Sequence, residues 1–302
     1  MKIDANSVTF EPQDMAFVKK FGILEATEMA LDYHAEHPNL PFLYDAEQLA
    51  GFLGISRGEL NDIVNHIQKE YKEAHLPKKD GTYRSLCVPS IRLRFCQDPI
   101  KEKILPQLPV SKFATAYQKG STTRGNAEPH IGKKFLLKLD ITDFFGSITF
   151  EQVQRTAFNT RYVSRQVGYL LTSLCCKDDS LPQGAATSPA LSNIVMYRFD
   201  DYIGRWCSQR QIAYTRYCDD MTFSANRPLY GVYQKVKTML REMGFELNES
   251  KTHFIGNDNR QSVTGLVVNQ KVSISREKRR GLLCLEIWRG RQRSPRPSIR
   301  FC

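Results

Sequence analysis

Long apolar runs are missing from this chain of 302 residues, where stretches such as Phe135–Leu137 end after three. A membrane-spanning helix needs roughly 18 or more, so no membrane association is expected. The opening MKIDANSVTFEPQD carries acids where an export signal would be apolar, so secretion is not expected either. None of the eight cysteines (Cys87, Cys96, Cys175, Cys176, Cys207, Cys218, Cys284 and Cys302) forms a CxxC pair, which argues against a zinc ribbon or a thioredoxin-type site. Several sit inside apolar stretches and read as small buried hydrophobes of a protein in the reducing cytoplasm. Internal repeats, low-complexity tracts and Gly/Ser linkers are also lacking, so solenoids and loosely tethered modules are not indicated.

What is present is ordinary globular material, with 41% hydrophobic and 25% charged residues, enough for a substantial core. The charge is unevenly spread. Residues 271–302 hold ten Lys or Arg against two Glu, so +8 of the net +11 lies there. A basic tail on a near-neutral body suits a polyanion such as nucleic acid, although a solvated terminus has the same composition.

Residues 11–75 read as helical, with Gly54 between two short amphipathic runs in the manner of a weak helix-turn-helix. KKDGTYRSLCVP (Lys78–Pro89) reads as a hairpin turning at Asp80–Gly81, and KFLLKLDITDFF (Lys134–Phe145) as a buried strand running into acids and aromatics. A helix is expected from the Ser188–Pro189 start to Trp206, and another over 229–244, stopped by Gly244. IAYTRYCDDMTFSA reads as two strands turning at Cys218–Asp219–Asp220, and SVTGLVVNQKVSIS as one or two more. Helices mixed with a mainly antiparallel sheet make the class α+β.

Asp140 closes an apolar strand, and Asp219 and Asp220 share a turn about eighty residues later. Three carboxylates gathered at one sheet edge would repel strongly unless a divalent cation neutralised them. Hard oxygen donors favour Mg²⁺, with Mn²⁺ as a substitute, and two ions about 4 Å apart would suit in-line phosphoryl transfer.

KLDITDFFGSI, LPQGAATSPALSNIV and YTRYCDD follow one another in the order and approximate spacing of a reverse transcriptase. They resemble its metal-binding palm strand, its QGxPxSP segment and its YxDD hairpin. NAEPH (Asn126–His130) and VTG (Val263–Gly265) are similar to the NAxxH and VTG elements of bacterial retron reverse transcriptases. The resemblance runs from about Tyr71 to Arg280 and implies a right-hand polymerase: fingers, a palm with an antiparallel sheet, and a short or incomplete thumb. It divides the chain into a helical extension (1–70), fingers and palm (71–270), and a basic C-terminal segment (271–302).

By that resemblance, Asp140, Asp219 and Asp220 are catalytic, and with the carbonyl of Ile141 they hold two Mg²⁺ ions. Lys78 (or Lys79 in its place), Arg84, Asp143, Phe144, Phe145, Gln183 and Lys251 serve the incoming deoxynucleoside triphosphate, Phe145 as the steric gate against a ribose 2′-hydroxyl. Asn126, His130, Val263, Thr264 and Gly265 contact RNA. The implied activity is reverse transcription of a structured non-coding RNA from an internal guanosine 2′-hydroxyl, leaving a branched RNA–DNA product. The RNA, its hybrid with DNA and a toxic effector in anti-phage defence are the implied partners.

Ala186 and Cys218 depart from the family pattern but are small. The larger departure is the Arg/Pro-rich end, RGRQRSPRPSIRFC, which cannot pack a helical thumb. Two alternatives follow: an RNA-binding scaffold with feeble synthesis, which the intact acids oppose, and a group II intron-type enzyme, for which no maturase or endonuclease sequence is present.

Overall fold

The structure, a computed structural model, describes residues 2–4, 7–77, 81, 83–159, 163–274 and 279–280. A short hairpin of β1 (Lys2–Asp4) and β2 (Ser7–Thr9) precedes α1 (Met15–Phe21) and α2 (Ile23–Glu36). Next come α3 (Ala46–Leu53) and α4 (Arg57–Asn65), joined by the expected helix-turn-helix. Its turn is local chemistry: Gly54 takes a left-handed φ of 74°, and Ser56 and Glu59 form a reciprocal capping box that starts α4. The buried side of α4, Leu60 and Ile63, joins the main core with Leu49 and Leu53 of α3. These two helices are thus part of the central body, whereas Phe17, Ala26, Tyr33 and Phe42 form a separate cluster under α1 and α2.

The long hairpin of β3 (Tyr71–Pro77) and β4 (Tyr83–Pro89) leads into α5 (Ile91–Pro99) and α6 (Thr123–Ala127). After β5 (Phe135–Asp140) come α7 (Phe150–Ala157), α8 (Arg165–Cys175), α9 (Ser188–Val195) and α10 (Tyr197–Ser208). The expected single helix from Ser188 is therefore two, broken at Met196. The hairpin of β6 (Ala213–Tyr217) and β7 (Asp220–Ala225) precedes α11 (Tyr230–Glu242) and β8 (His253–Gly256). Three short strands close the described chain: β9 (Ser262–Val263), β10 (Leu266–Val267) and β11 (Ser273–Ile274).

The central sheet has the order β6-β7-β5-β8, antiparallel throughout. Its two faces follow the period-2 rule of strands. Leu137 and Leu139 of β5, with Met221 and Phe223 of β7, enter the main core alongside Leu171, Leu191, Phe199 and Ile203 of α8–α10. Each such fully buried side chain contributes roughly 1.5–3 kcal/mol. The other face of β5 carries Leu136, Lys138 and Asp140. Leu136 is covered by Ala127, Val263 and Val268, so one end of this face is roofed by that module, while Asp140 at the other end is covered by Lys251 alone among its side-chain hydrogen-bond partners in the described residues.

Among the described residues no helix is long and apolar enough to cross a membrane. Cys96, Cys175, Cys176 and Cys207 are buried free thiols, as the sequence suggests. Most of the 271–302 segment, including every tail arginine from Arg289 onward, lies outside the described residues, and so does the expected thumb.

Candidate active site

Strand register brings the acids together. Asp140, the last residue of β5, is paired directly with Asp220, the first of β7, and directly opposed side chains share a face at Cβ separations of about 5 Å. The β6–β7 turn is therefore Cys218–Asp219 alone; Asp220 already belongs to the strand rather than the turn. Cys218 sits at a φ of 62°, in the left-handed region uncommon for residues other than glycine. Two backbone bonds fix the assembly: Ile141 N–H donates to the Asp219 carbonyl at 3.2 Å, and Asn248 N–H to the Asp140 carbonyl at 2.8 Å. Burial pushes the Asp220 carboxyl above its ordinary pKa, and the neighbouring Asp219 charge adds to the effect.

Lys251 stands over this cluster, its Nζ donating to Asp140 Oδ1 at 3.0 Å and Oδ2 at 2.9 Å. Among the described residues no three acid, imidazole or thiol groups already converge as a ligand cage. The donor set nevertheless fits a hard divalent cation. It offers three carboxylates at one end of the sheet face, Asp220 among them half-buried with its pKa raised by burial and then by Asp219, so negative charge exceeds that of the two lysines, Lys138 and Lys251, that answer it.

The aromatics beyond Asp140 divide. Asp143 takes a φ of 41° in a tight turn, and a side chain at Gly146 would collide with its carboxylate. Phe145 is half-exposed, its ring 5.5 Å from that of Phe144. Phe144 is not a nucleotide-lining residue: it is 4% exposed and packs on Phe245 with the Arg216 guanidinium 5.8 Å from its ring centre. In a turn the strand alternation that would distinguish the two is lost.

Arg84 is exposed on β4, opposite Leu76; Lys78 and Lys79 lie outside the described residues. The hairpin is tied to the QGAATSP segment by Cys87 N–H donating to the Gln183 carbonyl at 2.7 Å. Gly184 must be glycine there twice over: its φ is 128°, and a Cβ would meet the Cys87 carbonyl oxygen at 2.8 Å. Gln183 is therefore held beside β4, half-exposed.

A buried ionic network beneath the turn carried no recognised motif. Arg216, fully buried, bonds Asp200 through Nε at 3.0 Å and Nη2 at 2.5 Å, Asn193 Oδ1 through Nη2 at 3.1 Å, and the Cys218 carbonyl through Nη1 at 2.8 Å. Tyr214 donates to the same Asp200 at 2.7 Å. The turn that presents Asp219 thus rests on a guanidinium. Tyr117, whose hydroxyl reaches Cys218 Sγ at 3.0 Å, was also missed; only the fold brings it to the turn.

NAEPH and VTG form one module. Thr264 and Gly265 make the two-residue turn between β9 and β10, with φ of 44° and 78°, the double left-handed geometry that favours glycine. Asn126 Nδ2 reaches Thr264 Oγ1 at 3.4 Å, and Thr264 Oγ1 donates to the Thr123 carbonyl at 3.1 Å. Burial divides the five residues expected to contact RNA. Asn126, His130 and Val263 are all 1% exposed or less and support the surface, whereas Thr264 and Gly265 lie on it. His130 shares hydrogen bonds with Ser224 Oγ at 2.7 Å and Thr215 Oγ1 at 2.9 Å, pinning the insertion to the central sheet.

Burial, helped by the Lys133 charge, holds the His130 imidazole down at about 3 against an ordinary 6.5. The native state keeps it neutral, so its contribution is complete above 6.5 and is lost progressively as pH falls toward 3. At pH 5 the wild type should lose about 2 kcal/mol more than His130→Gln relative to neutral pH. Urea midpoints at the two pH values check this; parallel losses would show that His130 does not titrate with folding.

A family model described as "Reverse transcriptase (RNA-dependent DNA polymerase)" matches residues 76–273. The retron Ec86 reverse transcriptase of Escherichia coli is 30% identical over 84% of this chain and 81% of its own length. The retron Ec83 reverse transcriptase of the same organism is 34% identical over 71% and 74%. Among solved structures, apo telomerase from Candida tropicalis is 13% identical with a TM-score of 0.46, covering 68% of this chain and 47% of that one.

Proposed function

The chain belongs to the reverse transcriptase family, and within it to the retron reverse transcriptases; from that premise we propose that its acidic edge copies a structured non-coding RNA into DNA. The observation that carries this reading is the Asp140–Asp220 register with Asp219 on the adjoining two-residue turn. Asp140, Asp219 and Asp220, with the Ile141 carbonyl, would hold Mg²⁺, or Mn²⁺ in its place, as two ions. That cation supplies Lewis-acid activation of the primer hydroxyl and neutralisation of phosphate charge.

The chain's own side chains do the rest. Arg84, with Lys78 from the same hairpin, grips triphosphate oxygens through a planar fork and a point charge. Lys251 orients Asp140 by donating to both of its carboxylate oxygens. Asp143 and Gln183 flank the nucleotide, and Phe145 closes the space that a 2′-hydroxyl would enter. Thr264 and Gly265 offer the RNA-facing surface that the buried Asn126, His130 and Val263 hold in place. Residues 71–270 then act as fingers and palm. Retron membership supports a branched RNA–DNA product and a role in anti-phage defence with a toxic effector.

Phe145→Ala should raise ribonucleotide incorporation at least about tenfold, equivalent to ~1.4 kcal/mol of transition-state selection. Single-nucleotide incorporation with matched ribo- and deoxynucleotides measures it; an unmoved ratio assigns the gate to another side chain.

Co-expression with the DNA flanking the gene tests the retron reading. A small DNA joined to RNA, shortened by a 2′–5′ debranching enzyme, is the expected product. DNA that is unbranched would overturn the priming assignment.

A further inference from the structure

At the end of the β6–β7 hairpin away from the acids, the chain forms a basic cleft of about 630 Å³. Three separate segments build it: Lys133 precedes β5, Arg210 and Ile212 lie between α10 and β6, and Asn226 and Arg227 follow β7. Among the described residues no carboxylate lines it. The walls are joined to one another: Lys134 N–H donates to Asn226 Oδ1 at 3.2 Å, and Arg227 Nη2 to the Arg210 carbonyl at 3.1 Å. The Arg210 guanidinium is itself set in place, 4.6 Å from the Trp206 ring centre and donating to the Trp206 carbonyl at 3.2 Å.

We infer that this cleft binds the phosphodiester backbone of a part of the structured RNA that is not being copied. Three cations with no acid among them, beside the small apolar floor of Ile212 and Ala213, match alternating phosphates and sugars rather than an isolated small anion. Its position excludes the reacting phosphates: β7 runs from Asp220 to Ala225, about 17 Å at ~3.4 Å per residue. Its link to RNA is through the insertion already described. Lys133 lies three positions beyond His130, whose imidazole is bonded to Ser224 and Thr215 of these same strands. The insertion that roofs the sheet therefore also delivers Lys133 to the cleft. The inference rests on the RNA-copying reading above.

The test is binding of a fluorescein-labelled RNA stem–loop to the full chain across a potassium chloride series. Lys133→Gln/Arg227→Gln should weaken binding about tenfold at moderate salt and lower the log–log salt slope by roughly 0.7–0.9 for each phosphate that is no longer neutralised. A charge-matched control on exposed residues elsewhere, Lys19→Gln/Arg165→Gln, should leave that slope within experimental scatter. Arg227→Lys, which keeps the charge if the glutamine form folds poorly, should retain most of the slope. Equal effects of the cleft pair and the control pair would overturn the inference. So would a loss confined to an RNA–DNA duplex of the same length, which would assign the cleft to the product instead. Primer extension by the wild type decides the polymerase reading separately, so either conclusion can fail alone.

Discussion

Replacing Asp219 or Asp220 with asparagine should lower RNA-templated primer extension by at least about a thousandfold, some 4 kcal/mol of transition-state stabilisation. A carboxamide keeps the shape of the side chain but removes the charge that attracts a hard cation. The loss should come without unfolding. Asp220 is half-buried, with its pKa raised by burial and by Asp219, so neutralising it relieves crowding and the melting temperature should hold or rise. Magnesium supplies a second readout: it should raise the melting temperature of the wild type, because a ligand bound only by the native state stabilises it, and should raise that of Asp220→Asn less. A variant that extends primers like the wild type would remove these acids from the chemistry.

The second large effect is on stability. Arg216→Met should cost about 3–5 kcal/mol, because it leaves the Asp200 carboxylate charged, buried and without its partner. Asp200→Leu alone should cost as much by stranding the guanidinium. The double substitution Arg216→Met/Asp200→Leu should recover a large part, since an apolar pair can replace a buried ion pair at little net cost. It should not recover activity, because the Cys218 carbonyl loses the Nη1–H that it now accepts at 2.8 Å and the turn carrying Asp219 loses its support. Urea unfolding of the two single variants and the double, set against primer extension, separates the two roles. Single variants within about 1 kcal/mol of wild type would show that the pair is not desolvated as it stands here.

The acids were legible because their chemistry depends on residue type and order, and both survive in a linear string. Asp140, the adjacent Asp219–Asp220 and the intervening QG segment needed no contact information. Positions decided by register or by burial were not legible in the same way. Phe144 and Phe145 are neighbours in a turn, where no alternation says which faces the core. His130 and Asn126 look like polar groups available to a ligand until the fold encloses them between β6, β7 and the β9–β10 turn. Arg216 sits inside YTRYCDD, but its partner Asp200 lies on α10, and only the packing of that helix under β6 makes the pair. The helix from Ser188 was expected to be continuous because nothing in its apolar spacing marks Met196 as a break.

The central sheet carries a roofed end and an acidic end on one face. Leu136 and Asp140 are on the same side of the same strand, one under the module of Ala127, Val263 and Val268 and the other at the acidic end under Lys251. The surface presented by Thr264 and Gly265 therefore belongs to the same sheet face as the acids.

The most direct measurement is extension of a DNA primer on an RNA template by the purified full chain with Mg²⁺ and the four deoxynucleoside triphosphates. DNA complementary to the RNA should accumulate, cease on chelation of the cation and return when it is restored. A folded, RNA-binding wild-type chain that adds no nucleotide at saturating template and triphosphate would contradict the account and leave the scaffold reading in its place.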